Sequence, residues 1–100
     1  MNAGSLMDPP EMTLRVRVNE DVLFQELQGE AVLLNLNSGV YFGLDSVGTR
    51  MWRLIVEKEQ LAEVARSIVA EFDVSEEQCT ADLLALVKTL ENRGLVTISA

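Results

Sequence analysis

Residues 22–44 read VLFQELQGEAVLLNLNSGVYFGL, and the way this run divides decides the fold. Val22–Leu27, residues 30–36 and residues 40–44 are three β-leaning segments. Gln28-Gly29 between the first two predicts a tight hairpin, and Asn37-Ser38-Gly39 predicts a second turn before the third. The result is a meander of short antiparallel strands joined by local turns. Upstream, residues 14–18 alternate Leu, Arg, Val, Arg, Val. That places Arg15 and Arg17 on one face and Leu14, Val16 and Val18 on the other. A turn at Asn19-Glu20-Asp21 separates this segment from the meander. The first dozen residues, with Gly4, Ser5, Asp8, Pro9 and Pro10, have no periodicity and are expected to form a flexible arm over 1–12. Met7 would serve as a start as well as Met1. A single domain is expected over 13–100.

Beyond Asp45 the period becomes helical. Asp45 or Ser46 can cap a helix whose inward positions are Val47, Met51, Leu54 and Ile55, with Trp52 beside them. A second helix is expected over about 61–72, with Leu61, Val64, Ala65, Ile68 and Phe72 on one stripe. A third opens at Ser75-Glu76-Glu77-Gln78, a Ser-x-x-Gln capping box with acidic residues at the positive end of the helix dipole. Its inner stripe is Cys79, Leu83, Leu86, Val87 and Leu90, and Gly94 stops it after Arg93. Residues 95–99 lean towards strand. Strands followed by three helices define an α+β, winged helix-turn-helix-like domain with a small antiparallel three-stranded sheet.

Composition excludes several kinds of chemistry. Among 100 residues, 48% are apolar and 24% charged, which is a globular composition. Sixteen acidic residues against 8 basic ones, and no histidine, give a net charge of −8. With one cysteine and no histidine, an internal disulfide, a Cys/His zinc site and a Ser-His-Asp triad are all beyond a single chain. No apolar run approaches the roughly 20 residues that span a bilayer, and the start lacks the pattern of a secretory signal. A cytoplasmic setting is expected, with no membrane partner, no metal and no cofactor.

The carboxylates have simple explanations. Glu57, Glu59 and Glu63 surround a helix junction, Glu76 and Glu77 begin a helix, and no apolar pocket separates two of them into acid and base. Gly39, Gly43 and Gly48 do not form a phosphate loop. Cys79 on an apolar stripe reads as a small buried hydrophobe, and Trp52 as a core anchor. A catalytic role is therefore not expected. Nucleic acid is also disfavoured. The third helix, over 75–93, carries Glu76, Glu77, Asp82 and Glu91 against Lys88 and Arg93, and its first turn would meet phosphates with glutamates.

The segment 40–44 is different, because as the last strand of a meander it exposes one row of N–H and C=O groups. It has none of the Lys, Pro or inward charge that ordinarily protects an edge. An extended peptide can add to such an edge as a further strand. Residues 14–18, residues 95–99 or a second subunit would each cover it equally well.

The sequence also resembles a known family. The resemblance lies in residues 22–36, in Ser38-Gly39-Val40-Tyr41-Phe42-Gly43-Leu44-Asp45, and in Val47-Gly48-Thr49-Arg50-Met51-Trp52. It continues in Ala81-Asp82-Leu83-Leu84 and, through Leu90, in Gly94-Leu95-Val96. Together they resemble the PqqD-like family over about residues 14–98. Leu-Asn-Leu, Gly-x-Tyr-x-x-Leu, Trp and Asp-Leu in that order are fairly specific, and none is a catalytic motif. Leu33-Leu34-Asn35-Leu36 and Trp52 look closer to the broad family than to its pyrroloquinoline quinone branch.

The resemblance implies a RiPP recognition element, a non-enzymatic peptide chaperone. Such a domain binds the leader of a ribosomally synthesised precursor peptide and presents it to a separate maturation enzyme, such as a radical-SAM protein, a leader peptidase or a cyclase. It also implies that the leader lies between the strand 40–44 and the helix 75–93. Backbone groups of Val40, Tyr41, Phe42 and Gly43 would then hold it. Asp82, Leu86 and Thr89 lie along one border of the helix and would line the cleft, with Asp82 meeting a basic leader residue or, alternatively, a partner on its own surface. Thr80, Leu84 and Val87 form the competing border. The alternative functions are a winged-helix DNA-binding regulator or a generic protein-interaction module, and a homodimer formed through the open edge is the other partner considered.

Overall fold

The computed structural model describes residues 10–100. The expected arm lies outside the described residues up to position 9. Its last part belongs to a 3-10 turn, Pro10–Thr13, which buries Met12 against the core. The order that follows is β1 (Arg15–Val18), β2 (Val22–Leu27), β3 (Glu30–Asn35), β4 (Tyr41–Leu44), α1 (Ser46–Lys58), α2 (Leu61–Glu71), α3 (Glu76–Asn92) and β5 (Val96–Ser99). This is the α+β, winged helix-turn-helix-like arrangement that the strand and helix patterns predict.

The meander is β2-β3-β4, antiparallel throughout. Leu27 pairs with Glu30 across a two-residue turn in which Gln28 (φ 56°) and Gly29 (φ 83°) both adopt positive φ. That geometry matches the right-handed twist of the strands, and glycine makes it accessible. β1 leaves the meander and pairs with β5 instead, from Arg15 opposite Ser99 to Val18 opposite Val96. On its other side, β1 takes backbone bonds from the α1–α2 junction, where the Val16 N–H donates to Glu59 O at 2.7 Å. Both flanks of β1 are therefore occupied.

The three helices pack on the inner face of the sheets. Leu33 of β3, Ile55 of α1, Leu61 and Val64 of α2, Leu83 and Leu90 of α3, and Val16 of β1 are fully buried together. Trp52 is buried as expected and stacks on Phe24, with ring centroids 6.5 Å apart. The caps also form where the sequence places them. The Asp45 carboxylate accepts from Gly48 N–H at 2.7 Å, and the Ser75 hydroxyl accepts from Gln78 N–H at 3.1 Å. Only half of the capping box closes, because the Gln78 carboxamide turns forward and donates to Asp82 Oδ1 at 2.8 Å. No helix among the described residues is long and apolar enough to cross a membrane.

Candidate functional site

The meander has two edges, and they differ. Beside β2, Glu26 lies on the helix-facing side of the sheet and is bound by Arg53, whose Nε donates to it at 2.8 Å. The same guanidinium sits 5.0 Å from the centroid of the Phe24 ring. A charged pair thus guards the β2 edge, one of the ways natural sheets refuse another strand. β4 has no such guard: its residues are Tyr41, Phe42, Gly43 and Leu44, and Tyr41 is 70% exposed.

Register fixes which backbone groups point out of the β4 edge. Asn35 N–H donates to Val40 O at 2.8 Å, so residues 40, 42 and 44 face β3 in the alternating antiparallel pattern. The N–H and C=O of Tyr41 and Gly43 point the other way, into the open edge. Phe42 therefore stands differently from its neighbours: its backbone belongs to the β3 ladder, and its side chain turns to the helix side. Val40 precedes β4, and its N–H is met by the Ser38 hydroxyl at 3.3 Å. Because β1 and β5 pair with each other, neither covers this edge.

The facing wall is α3. The Arg93 guanidinium at its end lies 5.3 Å from the centroid of the Phe42 ring, a cation–π approach that ties helix to edge strand. Thr89, Leu86 and Asp82 precede Arg93 at spacings of four, three and four residues, and so share its face. Leu86 and Thr89 are half-buried and Asp82 is exposed. Thr89 donates to Ala85 O at 3.0 Å, and Asp82 accepts from Gln78, so both hydroxyl and carboxylate are held within their own helix. On the opposite border, Thr80 faces a recess with Ala65 and Val69 of α2, and Val87 is buried in the core.

Two residues that the sequence reading did not single out for the site belong to this region. By sequence Arg93 marks the end of a helix and supplies one of its two basic charges. Asn35 was read as part of a strand, yet its Nδ2 donates to Gly94 O at 2.8 Å, joining β3 to the end of α3. The available signal was a carboxamide in phase with buried Ala31 and Leu33, a placement that asparagine seldom takes in a strand.

Among the described residues there is no group of three or more His, Cys, Asp or Glu side chains able to hold a metal ion. Burial pushes the Cys79 thiol up, and the nearby Asp82 and Glu76 charges add to it, the opposite of what an activated nucleophile requires. The site is an open strand edge faced by a helix that presents one apolar, one hydroxyl and one acidic side chain.

The family model for coenzyme PQQ synthesis protein D (PqqD) matches residues 30–96, and the chain belongs to this family. The solved structure of TbiB1 in complex with the TbiA(beta) leader peptide is 35% identical. It covers 80% of this chain and 93% of that one, with a TM-score of 0.76. Lasso peptide synthetase B1 complexed with the leader peptide has the same fold at 23% identity, covering 83% and 98% of the two chains with a TM-score of 0.75. Among curated protein sequences, none matches the chain significantly.

Proposed function

We propose that this chain is a recognition element that binds the leader of a ribosomally synthesised precursor peptide and presents it to a separate maturation enzyme. The leader adds to β4 as a fourth strand of the meander, held by the outward N–H and C=O groups of Tyr41 and Gly43. Main-chain bonds of this kind give affinity with little dependence on sequence. Selectivity comes from the helix side, where Phe42, Leu86 and Thr89 receive the peptide's inward side chains and Asp82 meets a basic one. The observation that carries this reading is the unguarded β4 edge facing α3 through the Phe42–Arg93 contact, when the β2 edge of the same sheet is guarded by Arg53 and Glu26. Membership of the PqqD family and a 35% identical relative solved with a leader peptide support it.

The binding unit is the domain expected over residues 13–100, together with the Pro10–Thr13 turn that seats Met12 in its core. The chemistry belongs to the partner, a radical-SAM protein, a leader peptidase or a cyclase. The setting is the cytoplasm, where the precursor is made. A regulator that grips DNA is disfavoured by Glu76 and Glu77 in the first turn of α3. Homodimerisation through β4 would compete with the leader for the same hydrogen bonds, so leader addition would dissolve such a dimer, as light scattering on dilution and titration would record.

The test is an NMR titration of labelled protein with a short precursor peptide sought in the neighbourhood of its gene, and with the TbiA(beta) leader as a second probe. The amides of Tyr41 and Gly43 and those of Leu86, Thr89 and Arg93 are expected to shift together. If neither peptide moves them at saturation, or if duplex DNA binds with a steep salt dependence, the proposal fails.

A further inference from the structure

Asn35 closes β3 on the face that carries buried Ala31 and Leu33. The half-buried carboxamide finds hydrogen-bond partners within the fold in two directions. Its Oδ1 accepts the N–H groups of Asn37 at 2.9 Å and Ser38 at 3.3 Å, which shapes the turn leading into β4. Its Nδ2 donates to Gly94 O at 2.8 Å, at the end of α3. The main chain of Asn35 adds two more bonds to the same turn, to Val40 O and from Gly39 N–H, both 2.8 Å. Gly94 is fitted to the contact: its φ is +73°, and a Cβ there would come within 3.1 Å of the Asn35 Nδ2. Arg93, the neighbour of Gly94, is the residue that reaches Phe42.

We infer that Asn35 is a positioning residue for the cleft: its bridge from the β4 turn to Gly94 sets the separation of β4 and α3, and with it the affinity for an added strand. This rests on the peptide-binding reading above. A peptide strand must lie about 4.8 Å from β4 and at the same time pack its alternate side chains on α3. Both conditions hold only at one spacing of the two walls. Asn19 provides an internal comparison. Its Nδ2 donates to the same Gly94 O at 2.8 Å, and its Oδ1 accepts from the Thr97 hydroxyl, but it stands at the end of β1, away from β4.

The paired variants Asn35→Asp and Asn19→Asp separate positioning from stability. Each keeps the oxygen that accepts and removes the nitrogen that donates to Gly94, so both lose one bond to one carbonyl and should melt at similar, lowered temperatures. Affinity for the leader, measured calorimetrically with the two peptides named above, is expected to fall roughly tenfold in N35D and to stay within about twofold of wild type in N19D. The NOE between the Phe42 ring and the Arg93 side chain should weaken in N35D alone. Equal losses in the two variants, or unchanged affinity in N35D, would overturn the inference. Should N35D not fold, Gly94→Ala presses on the same contact from the α3 side and is expected to behave as N35D would. A wild-type protein that binds neither peptide would overturn the peptide-binding reading instead.

Discussion

Arg50 and Glu71 are a partly exposed pair that joins α1 to the end of α2 through paired bonds of 2.9–3.1 Å. Hydrogen bonding to Arg50 holds the Glu71 carboxyl below the usual glutamate range, and the same bond raises Arg50. A depressed carboxylate stabilises the fold above its unfolded pKa, and that contribution is lost as pH falls through the lowered folded value. Arg50→Gln is therefore expected to lower the urea midpoint slightly at pH 7. The difference from wild type should shrink once pH drops below about 4, and salt should reduce it at neutral pH. Urea titrations at pH 7 and pH 3 check both statements. Neither this pairing nor the bond from Asn35 to Gly94 was legible in the sequence. Their partners lie 21 and 59 positions away along the chain, and no local period signals a contact at such a distance.

At the scale of elements, local physics carried most of the information. The Gln28-Gly29 hairpin, the caps at Asp45 and Ser75 and the stop at Gly94 each depend on a few consecutive residues, and each forms. What sequence could not supply was the pairing of β1, because alternation identifies a strand without naming its neighbour. Nor could a helical wheel choose between the two borders of α3. In the structure Arg93 lies over Phe42, while Thr80 faces α2. Register then yields a prediction for β4. Gly43→Pro removes an N–H that points out of the sheet, at a position where an added Cβ meets no atom within 4 Å. It should leave the thermal melt close to wild type and reduce leader affinity tenfold or more. Phe42→Pro, which removes a donor from the β3 ladder, should instead lower the melting temperature sharply. Melting curves and calorimetric titration of both variants distinguish the two sides of the strand.

Across the whole molecule, apolar surface and charge are set against each other. Leu23, Leu27, Val32 and Tyr41 are all exposed on the sheet face turned away from the helices. An antiparallel sheet with one solvated face ordinarily carries polar residues there. The net charge of −8 opposes association through that face, since two copies would bring like charges together. The acidic composition that disfavours nucleic acid thus also opposes self-association of an apolar sheet face.

The β1–β5 pair joins Arg15 to Ser99, while every other strand pair links neighbours in sequence. Closing so long a loop costs more entropy than closing a hairpin, and the return comes only when both ends have arrived. The meander and the helices can assemble from short-range contacts, so the terminal strands are expected to join after the folding barrier has been crossed. Val16→Ala, which trims a fully buried side chain of β1, should cost about 2 kcal/mol. Nearly all of it should appear as faster unfolding, with the folding rate little changed in stopped-flow measurements. The strand pair that joins Arg15–Val18 to Val96–Ser99 is thereby expected to set how long a folded molecule lasts, with little part in how quickly it forms.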